Sequence, residues 1–541
     1  MMSNIEKELQ EALERILKSS SRKKLVVAGP GTGKTHLFKT LLEPVPEDPQ
    51  RRLVLTFINN LKLDLEQNLA GLASVFTLHG YCQSLLRRQS RLRMGLTRDF
   101  RCLPRMASIV KTDWEYIRGG EAPPFVDLMR NLENDDRTQF YLARGNYYNA
   151  VDFDDSVFRV HRALIETAGQ VDEYDLVLID EYQDFNRMEA ALIDLLASTN
   201  PILIAGDDDQ ALYSQLRGAS WEFIRRLHRA GEYEVFPLPF CLRSPQVIVD
   251  ATNDIISAAR QERRLKGRIE KPFRHYEPAK GKDSKRYPKI SLVITSVQRP
   301  NANYFGRYIE EAIKKVPEEE VKEAVEKGYP VALIIGSNPY RKQVVDYLRK
   351  QGWQVDTGRD RQVKLSRADG LEILKGAPES NLGWRVLLEV DRPSFAATSI
   401  RATAASGEAL IAKILEDYRT KVLEEARAYE PEGDSGARES KQEAGATVKA
   451  TTYEGAKGLS AQHVFIIGVH EGEFPRDSKN VQDLEICRFI VGLTRTRKKC
   501  TLVYTKYFGD KLKRPSVFLS WIRPGRYQVT KVDATYWKKE R

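Results

Sequence analysis

The sequence predicts an α/β protein built on parallel strands, and two features carry that prediction. A short apolar run at residues 25–28 leads directly into the glycine-rich segment 29–35 and then into an apolar-periodic segment, the order of a buried strand, a loop and a helix. Further short apolar runs each end in polar or aromatic residues. Such residues lie at the carboxyl edge of a parallel sheet, which is where α/β proteins bind ligands.

The glycine-rich segment has the composition of a phosphate-binding loop. Its glycines allow backbone N–H groups to face inward at a helix N-terminus, and such a concavity binds anionic phosphates. Lys34 is expected to reach the β- and γ-phosphates, and the Thr35 hydroxyl to ligate Mg²⁺, although Ala28 replaces the first glycine of the usual pattern. The predicted nucleotide-binding residues are Gly29, Gly31, Thr32, Gly33, Lys34 and Thr35.

Composition limits the classes of protein to consider. A chain of 541 residues is too long for one core and predicts three or four domains. No apolar run approaches the roughly 18 residues of a membrane span, and the N-terminus is not a signal peptide, so we expect a cytoplasmic protein. Five cysteines without a C-x-x-C and seven scattered histidines argue against disulfides, zinc or an iron–sulfur cluster. The net charge of +11 favours a polyanionic partner.

The first elements along the chain contribute weaker candidates. Gln10 lies in a helical pattern, where it either reads an adenine edge or belongs to a solvated face. Two short strands follow the phosphate loop, at 53–57 and 74–77, and their ends carry side chains that are either ligand contacts or ordinary core and capping residues. The candidates at these two strand ends are Phe57, Asn59, Thr77 and His79.

Two later strand ends supply the residues that hydrolysis requires. Residues 174–179 predict a buried strand that ends in Asp180 and Glu181. Asp180 can hold Mg²⁺ through its water shell and Glu181 can take the proton from an attacking water, although both could be turn residues. A further strand at 201–205 is followed by Gln210, which is well placed to contact the γ-phosphate or to orient the water.

The order of these motifs resembles a known family. The segments TFINN, TLHGYC, LIDEYQDFN, GDDDQALYSQLRGAS, FCLRSP, TTYEGAKGL and VGLTRT follow the phosphate loop in the order found in UvrD/Rep-like superfamily 1 DNA helicases. The resemblance runs from residue 25 to about 505. It implies an ATP-dependent, DNA-stimulated 3′–5′ helicase that uses Mg²⁺ and acts on single-stranded DNA and DNA junctions, with ATP held between two RecA-like domains.

The resemblance also implies individual residue roles. Arg243 takes the place of the arginine in the family's N-Y-R-S motif and Arg495 that in its T-R-A motif, so both are expected to reach the transferring phosphoryl group from the second domain. The implied DNA contacts are Phe57, Asn59, Thr77, His79, Tyr213, Arg217 and Thr452, and Phe57 and Tyr213 are the candidates for stacking on a base. The chain departs from the family pattern at Leu216, Glu454 and Ser460, where an aromatic, a histidine and the ribose-contacting glutamate are expected.

The resemblance implies a domain map in which a mostly helical insertion interrupts each RecA-like domain. The first domain is expected at 1–86 and 166–234 with an insertion at 87–165, and the second at 235–361 and 447–525 with a reduced insertion and flexible linker at 362–446. A basic tail is expected at 526–541. Residues 260–289 contain twelve Lys/Arg and four Asp/Glu, which predicts either a phosphate-tracking surface or a solvated loop.

A second function remains open at this stage. The short insertions and the missing aromatic also suit a regulatory subunit that senses ATP and DNA and gates a partner nuclease, as in antiviral defence, with little unwinding of its own. Strand displacement by the purified protein alone separates the two hypotheses.

Overall fold

The computed structural model describes residues 3–43, 48–166, 171–296, 304–358, 365–430, 447–508 and 511–539. Two large sheets dominate it, and all pairings within them are parallel except that of the short strand Lys511–Leu512. The predicted α/β class is confirmed. No helix among the described residues combines the length and the apolar character that crossing a membrane requires.

The first sheet and its helices form the first domain. Its central strands are buried along their length, as expected for parallel strands covered on both faces. In spatial order the described strands of this sheet are Ser74–Thr77, Arg52–Thr56, Leu176–Ile179, Ile202–Gly206, Lys23–Ala28 and Glu234–Leu238. The flanking helices are Asn4–Lys18, Lys34–Leu42, Asn59–Asn68, Leu78–Arg88, Arg187–Thr199, Ser214–Arg217 and Trp221–Ala230.

The boundary expected at residue 235 is wrong. The strand Glu234–Leu238 pairs in parallel with Lys23–Ala28 and completes the first sheet. The chain crosses to the second domain only after it, before the helix Gln246–Gln261, which belongs to the core of that domain. A short apolar run indicates a strand but not the sheet it joins, because that choice depends on distant partners.

The second sheet forms the core of the second domain. In spatial order its described strands are Val355–Asp356, Val448–Thr451, Ala332–Ile335, Ala461–Ile467, Thr496–Phe508, Ile290–Ser296 and Tyr527–Val532, with Lys511–Leu512 paired to Thr496–Phe508. Its helices are Gln246–Gln261, Glu277–Arg286, Tyr304–Lys314, Glu318–Glu326, Asn338–Lys350, Asp483–Thr494, Val517–Trp521 and Ala534–Lys539. The residues expected to form a basic tail therefore include an edge strand, which pairs in parallel with Ile290–Ser296.

The two insertions are helical and pack against each other. The first contains the helices Met106–Ile117, Phe125–Arg130, Asp136–Tyr148 and Phe153–Glu166 and the short strands Arg101–Cys102 and Ala150–Val151. The described part of the second contains Arg367–Gly376, Asn381–Asp391, Pro393–Ser406 and Glu416–Ala428. Buried Asp113 of the first insertion accepts from Arg385 of the second at 2.9 Å. The polar linker expected near 430–447 lies almost wholly outside the described residues.

Two side chains of the basic tract at 260–289 are buried in ion pairs with the first domain. The Nζ atom of Lys271 lies 2.9, 2.7 and 2.8 Å from carboxylate oxygens of Asp207, Asp208 and Asp209, and the Lys271 side chain is buried. Arg268 adds a bidentate contact to Asp209, both distances being 2.7 Å. Two of the twelve basic side chains of the tract are thus neutralised inside the molecule, where they join the loop after Ile202–Gly206 to the chain that enters the second domain.

Candidate nucleotide site

A cavity of about 250 Å³ lies between the two domains, at the carboxyl ends of the strands of the first domain. We call it the nucleotide cavity. Ten of its lining residues are ones that the sequence predicted: five from the phosphate loop, the two strand-end carboxylates, Gln210, and the two arginines of the second domain. The lining residues are Gly31, Thr32, Gly33, Lys34, Thr35, Leu61, Asp64, Asp180, Glu181, Gln210, Leu242, Arg243, Gly458, Arg495 and Arg497.

The phosphate loop has the backbone that its glycines predict. Gly31 and Gly33 adopt φ values of +68° and +91°, which side chains other than glycine rarely tolerate. Gly33 is the N-cap of the helix Lys34–Leu42 and supplies no capping side chain, so the first N–H groups of that helix are available to an anion. A Cβ atom built on Gly31 would lie 2.6 Å from the Cβ atom of Arg243, so this glycine also allows the second domain to approach.

Glu181 is held in a strained conformation at the centre of the cavity. Its φ of +54° is unusual for a residue with a side chain, and such strain is concentrated at functional sites. The Nζ atom of Lys34 lies 3.1 Å from its Oε1 atom, and Gln183 donates to Oε2 at 2.5 Å. Burial alone would raise the pKa of Glu181, but Lys34 and Lys457 outweigh burial and hold that pKa well below its usual range. The carboxylate is therefore ionised and able to accept a proton.

Asp180 has the properties of a cation ligand. Burial, followed by the adjacent Glu181 carboxylate, raises the pKa of Asp180 to about 7. Within the described residues Asp180 forms no ion pair, since Lys34 pairs with Glu181 instead. Asp180 and the Thr35 hydroxyl line the same cavity and would hold a divalent ion, since oxygen donors of this kind are those that Mg²⁺ prefers. The residues present fit Mg²⁺.

The two predicted arginines enter the cavity from the second domain. Arg495 donates to Oε1 of Gln210 at 2.9 Å, and Arg243 donates to the Thr494 carbonyl at 3.3 Å. Burial lowers the pKa of Arg495 to about 9 and that of Arg243 to about 10, and repulsion from a neighbouring arginine contributes in each case, from Arg243 for Arg495 and from Arg497 for Arg243. Buried guanidinium groups that lack full compensation favour the binding of an anion.

Lys457 is a further residue of the site, to which the sequence analysis assigned no role although it lies in the TTYEGAKGL segment. Only 2% exposed, it reaches from the second domain into the first, where it donates to the Gln210 carbonyl at 2.6 Å and forms an ion pair with Asp184. Its Nζ atom is also 3.6 Å from Oε2 of Glu181. Lys457 thus connects the second domain to the segments that follow two strands of the first domain, Leu176–Ile179 and Ile202–Gly206.

Replacing Lys457 with methionine is expected to lower the free energy of unfolding by about 3–5 kcal/mol, because Asp184 would lose its buried counter-ion. Urea unfolding followed by tryptophan fluorescence measures the loss. The control is Lys449→Met. Lys449 lies on the strand Val448–Thr451 and pairs with exposed Asp356, so its loss is expected to lower the free energy of unfolding by only about 0–1 kcal/mol. Equal losses for the two variants would contradict the proposed importance of the buried pair.

Four of the residues predicted to bind DNA, Phe57, His79, Tyr213 and Arg217, form one cluster beside the cavity. The Phe57 ring is 3% exposed, with its centroid 4.9 Å from that of Tyr213 and the Arg217 guanidinium 4.7 Å above it. Arg217 also contacts Nε2 of His79 at 3.0 Å, and His79 lies 3.2 Å from Glu189. Each ring therefore faces protein in this conformation.

The remaining predicted residues occupy local structural positions. The hydroxyl oxygens of Thr77 and Thr452 both accept from a backbone N–H three residues later, at 3.1 Å. Gln10 donates to Glu14 on an exposed helix face and does not line the nucleotide cavity. The side chain of Asn59 lies outside the described part of the structure.

Comparison with known proteins matches this sequence to helicases. The family model for the UvrD/REP helicase N-terminal domain matches residues 9–116 and 128–230. An ATP-dependent DNA helicase PcrA of Staphylococcus aureus is 26% identical over 287 residues, which cover 45% of this chain and 39% of the relative. A PcrA of Staphylococcus epidermidis is 24% identical over 401 residues, covering 64% and 53%, and a probable DNA helicase II homolog of Mycoplasma capricolum is 24% identical over 278 residues, covering 43% and 38%. The chain thus spans about half the length, or less, of these relatives.

Proposed function

Because this chain belongs to the UvrD/REP-like superfamily 1 helicases, we propose that it is an ATP-dependent DNA helicase that moves 3′ to 5′ along single-stranded DNA. One observation carries the proposal: a phosphate loop and two catalytic carboxylates of one domain share a cavity with arginines of the other. That arrangement suits a phosphoryl-transfer enzyme whose activity depends on how the two domains meet. We place the protein in the cytoplasm.

Hydrolysis of ATP uses the residues of the first domain in distinct roles. The phosphate loop and Lys34 bind the phosphates, Glu181 accepts the proton of the attacking water, and Gln210 orients that water. Thr35 and Asp180 would hold Mg²⁺, which supplies charge neutralisation on the phosphate oxygens when bound. The ion pair between Lys34 and Glu181 exchanges for a contact between Lys34 and phosphate, and this leaves the Glu181 carboxylate free to act on water.

The second domain supplies the charge that couples hydrolysis to movement. Arg243 and Arg495 neutralise the negative charge on the transferring phosphoryl group. Both reach the cavity only while the domains are in contact, since Arg495 touches Gln210 and Arg243 lies against Gly31. Product release then permits opening, and each cycle changes the distance between DNA contacts on the two domains.

The proposed DNA track follows the cluster beside the cavity. Phe57, Tyr213 and Arg217 of the first domain face Glu454 of the second, whose carbonyl accepts from the Tyr213 hydroxyl at 3.1 Å. Opening of the domains would break this contact and uncover aromatic faces on which a base can stack. Asn59, Thr77, His79 and Thr452 are the proposed polar contacts along the same track, with single-stranded DNA and DNA junctions as partners.

The direct test is ATP hydrolysis by the purified chain, with and without single-stranded DNA, together with displacement of a strand from forked duplexes that carry either a 3′ or a 5′ tail. We expect DNA to stimulate hydrolysis and only the 3′-tailed duplex to be separated. Hydrolysis that does not respond to DNA would contradict the proposal, and separation of only the 5′-tailed duplex would contradict the direction.

A second candidate is a regulatory subunit that senses ATP and DNA and gates a partner nuclease. The aromatic faces that would stack on DNA bases are covered in this structure. Leu216, at the position where the resemblance leads one to expect an aromatic residue, is 62% exposed. Both observations favour weak unwinding by the chain alone. Stimulated hydrolysis without strand displacement would support this candidate, and copurification from the native host would then be used to identify the nuclease.

A further inference from the structure

Arg497 is a cation of the nucleotide cavity for which the proposed hydrolysis has no use. It lies two residues after Arg495 and lines the same cavity as Lys34 and Thr35. Lys34, Arg243 and Arg495 already serve the transferring phosphoryl group. A fourth cation in one cavity therefore indicates another anionic part of the ligand.

The side chain of Arg497 is held in place by neutral groups. Its Nε atom donates to the Ser460 hydroxyl at 2.9 Å, and its guanidinium lies 4.1 Å above the ring of Tyr329. No ion pair joins Arg497 to a carboxylate anywhere in the part of the chain that the structure describes, in contrast to Lys34 with its partner Glu181. A guanidinium positioned in this way retains N–H donors for an anionic oxygen.

The contacts of the arginines separate Arg497 from the hydrolytic residues of the first domain. Arg495 donates to the Gln210 side chain of that domain at 2.9 Å, whereas Ser460 and Tyr329, which position Arg497, both belong to the second domain. The pKa shifts agree with this difference. Burial lowers the pKa of all three arginines, and Glu181 partly offsets this effect for Arg495 and Arg243, whereas the offsetting groups for Arg497 are Tyr329, Glu323 and Asp64.

We propose that Arg497, positioned by Ser460 and Tyr329, binds a phosphate of the nucleotide that is not transferred, so that its ligand is the nucleoside diphosphate moiety shared by ATP and ADP. This inference rests on the proposed function. A residue that contacts a group present in the substrate, the transition state and the product stabilises all three complexes equally. It therefore changes the affinity for nucleotide and leaves kcat unchanged. Arg497 thus raises the affinity for ATP and ADP and slows the release of ADP, and it does not accelerate hydrolysis.

The test measures ADP binding by calorimetry and ATP hydrolysis at saturating DNA for the wild-type protein and for Arg497→Gln, Arg497→Lys and Arg514→Gln. For Arg497→Gln we expect the Kd for ADP and the KM for ATP to rise together by about tenfold or more, since a charge-assisted hydrogen bond is lost, with kcat within about twofold of wild type. Arg497→Lys restores part of the affinity. Arg514 is exposed and outside the cavity, so its variant is expected to match wild type.

The outcomes separate this inference from the proposed function. If wild-type protein binds ADP and Arg497→Gln binds it equally well, the inference is overturned while the helicase proposal stands. A fall in kcat at unchanged ADP affinity also overturns it, because Arg497 would then act on the transferred phosphoryl group. If the wild-type protein neither binds ADP nor hydrolyses ATP, the proposed function itself fails.

Discussion

Replacing Glu181 with glutamine is expected to lower kcat for ATP hydrolysis by about 10²–10⁴-fold, since an amide cannot accept the proton of the attacking water. ATP binding is expected to survive, because the phosphate loop and Lys34 are unchanged and a negative charge beside the phosphates is removed. Glutamine has the shape of glutamate and can still contact Gln183, which now bonds to Oε2. Steady-state hydrolysis with saturating DNA gives kcat, and a fluorescent ATP analogue gives the Kd.

The control for this experiment is Asp175→Asn, just before the amino end of the same strand. Asp175 forms an exposed pair with Arg51 at 2.8 Å, so its loss removes a carboxylate without touching the cavity. We expect this variant to keep wild-type kcat. A Glu181→Gln protein that retains more than about a tenth of wild-type kcat would show that another group accepts the proton, since removal of a general base normally costs at least 10²-fold.

The parts of the site that could be predicted from sequence are those built by one local segment. A strand, a glycine loop and a helix occur consecutively around Lys34, and a buried strand delivers Asp180 and Glu181 directly. The same strand-end logic placed Gln210. Arg243 and Arg495 required the family resemblance, because an arginine after a strand is commonly a surface charge. All of these side chains line one cavity.

The parts that were missed depend on pairs of residues far apart in the chain. Lys457 contacts Gln210, 247 residues away, and neither segment alone indicates the other. The basic tract at 260–289 indicated a surface for polyanions, but Lys271 and Arg268 are neutralised by Asp207, Asp208 and Asp209. Local composition shows where charge is concentrated along a chain. Whether that charge is exposed or neutralised depends on which opposite charges the fold brings near.

The contact between the two insertions is a pairing of this kind. Asp113 is fully buried and accepts from three side chains: Arg144 at 2.8 Å, Tyr148 at 2.7 Å and Arg385 at 2.9 Å. Arg144 and Tyr148 belong to the first insertion and Arg385 belongs to the second. The aromatic ring of Tyr147 adjoins the apolar core of the second insertion, and its hydroxyl donates to the Glu408 carbonyl at 3.0 Å. The Asp113 carboxylate therefore pairs with one buried arginine from each insertion.

Replacing Asp113 with alanine is expected to weaken this contact by about 3–5 kcal/mol, because Arg144 and Arg385 would remain buried without their shared counter-ion. Native-state hydrogen exchange measures the effect, and we expect amides of Met106–Ile117 and Asn381–Asp391 to exchange about 10²–10³-fold faster. Asp127→Ala, which removes an exposed carboxylate 3.9 Å from Arg130 in the same insertion, should leave the exchange unchanged.

Faster exchange confined to Met106–Ile117 would mean that Asp113 stabilises its own insertion only. Faster exchange in both helices would mean that the two insertions open together, so that any rearrangement of the second insertion during unwinding has to break the Asp113 contact or move the first insertion with it.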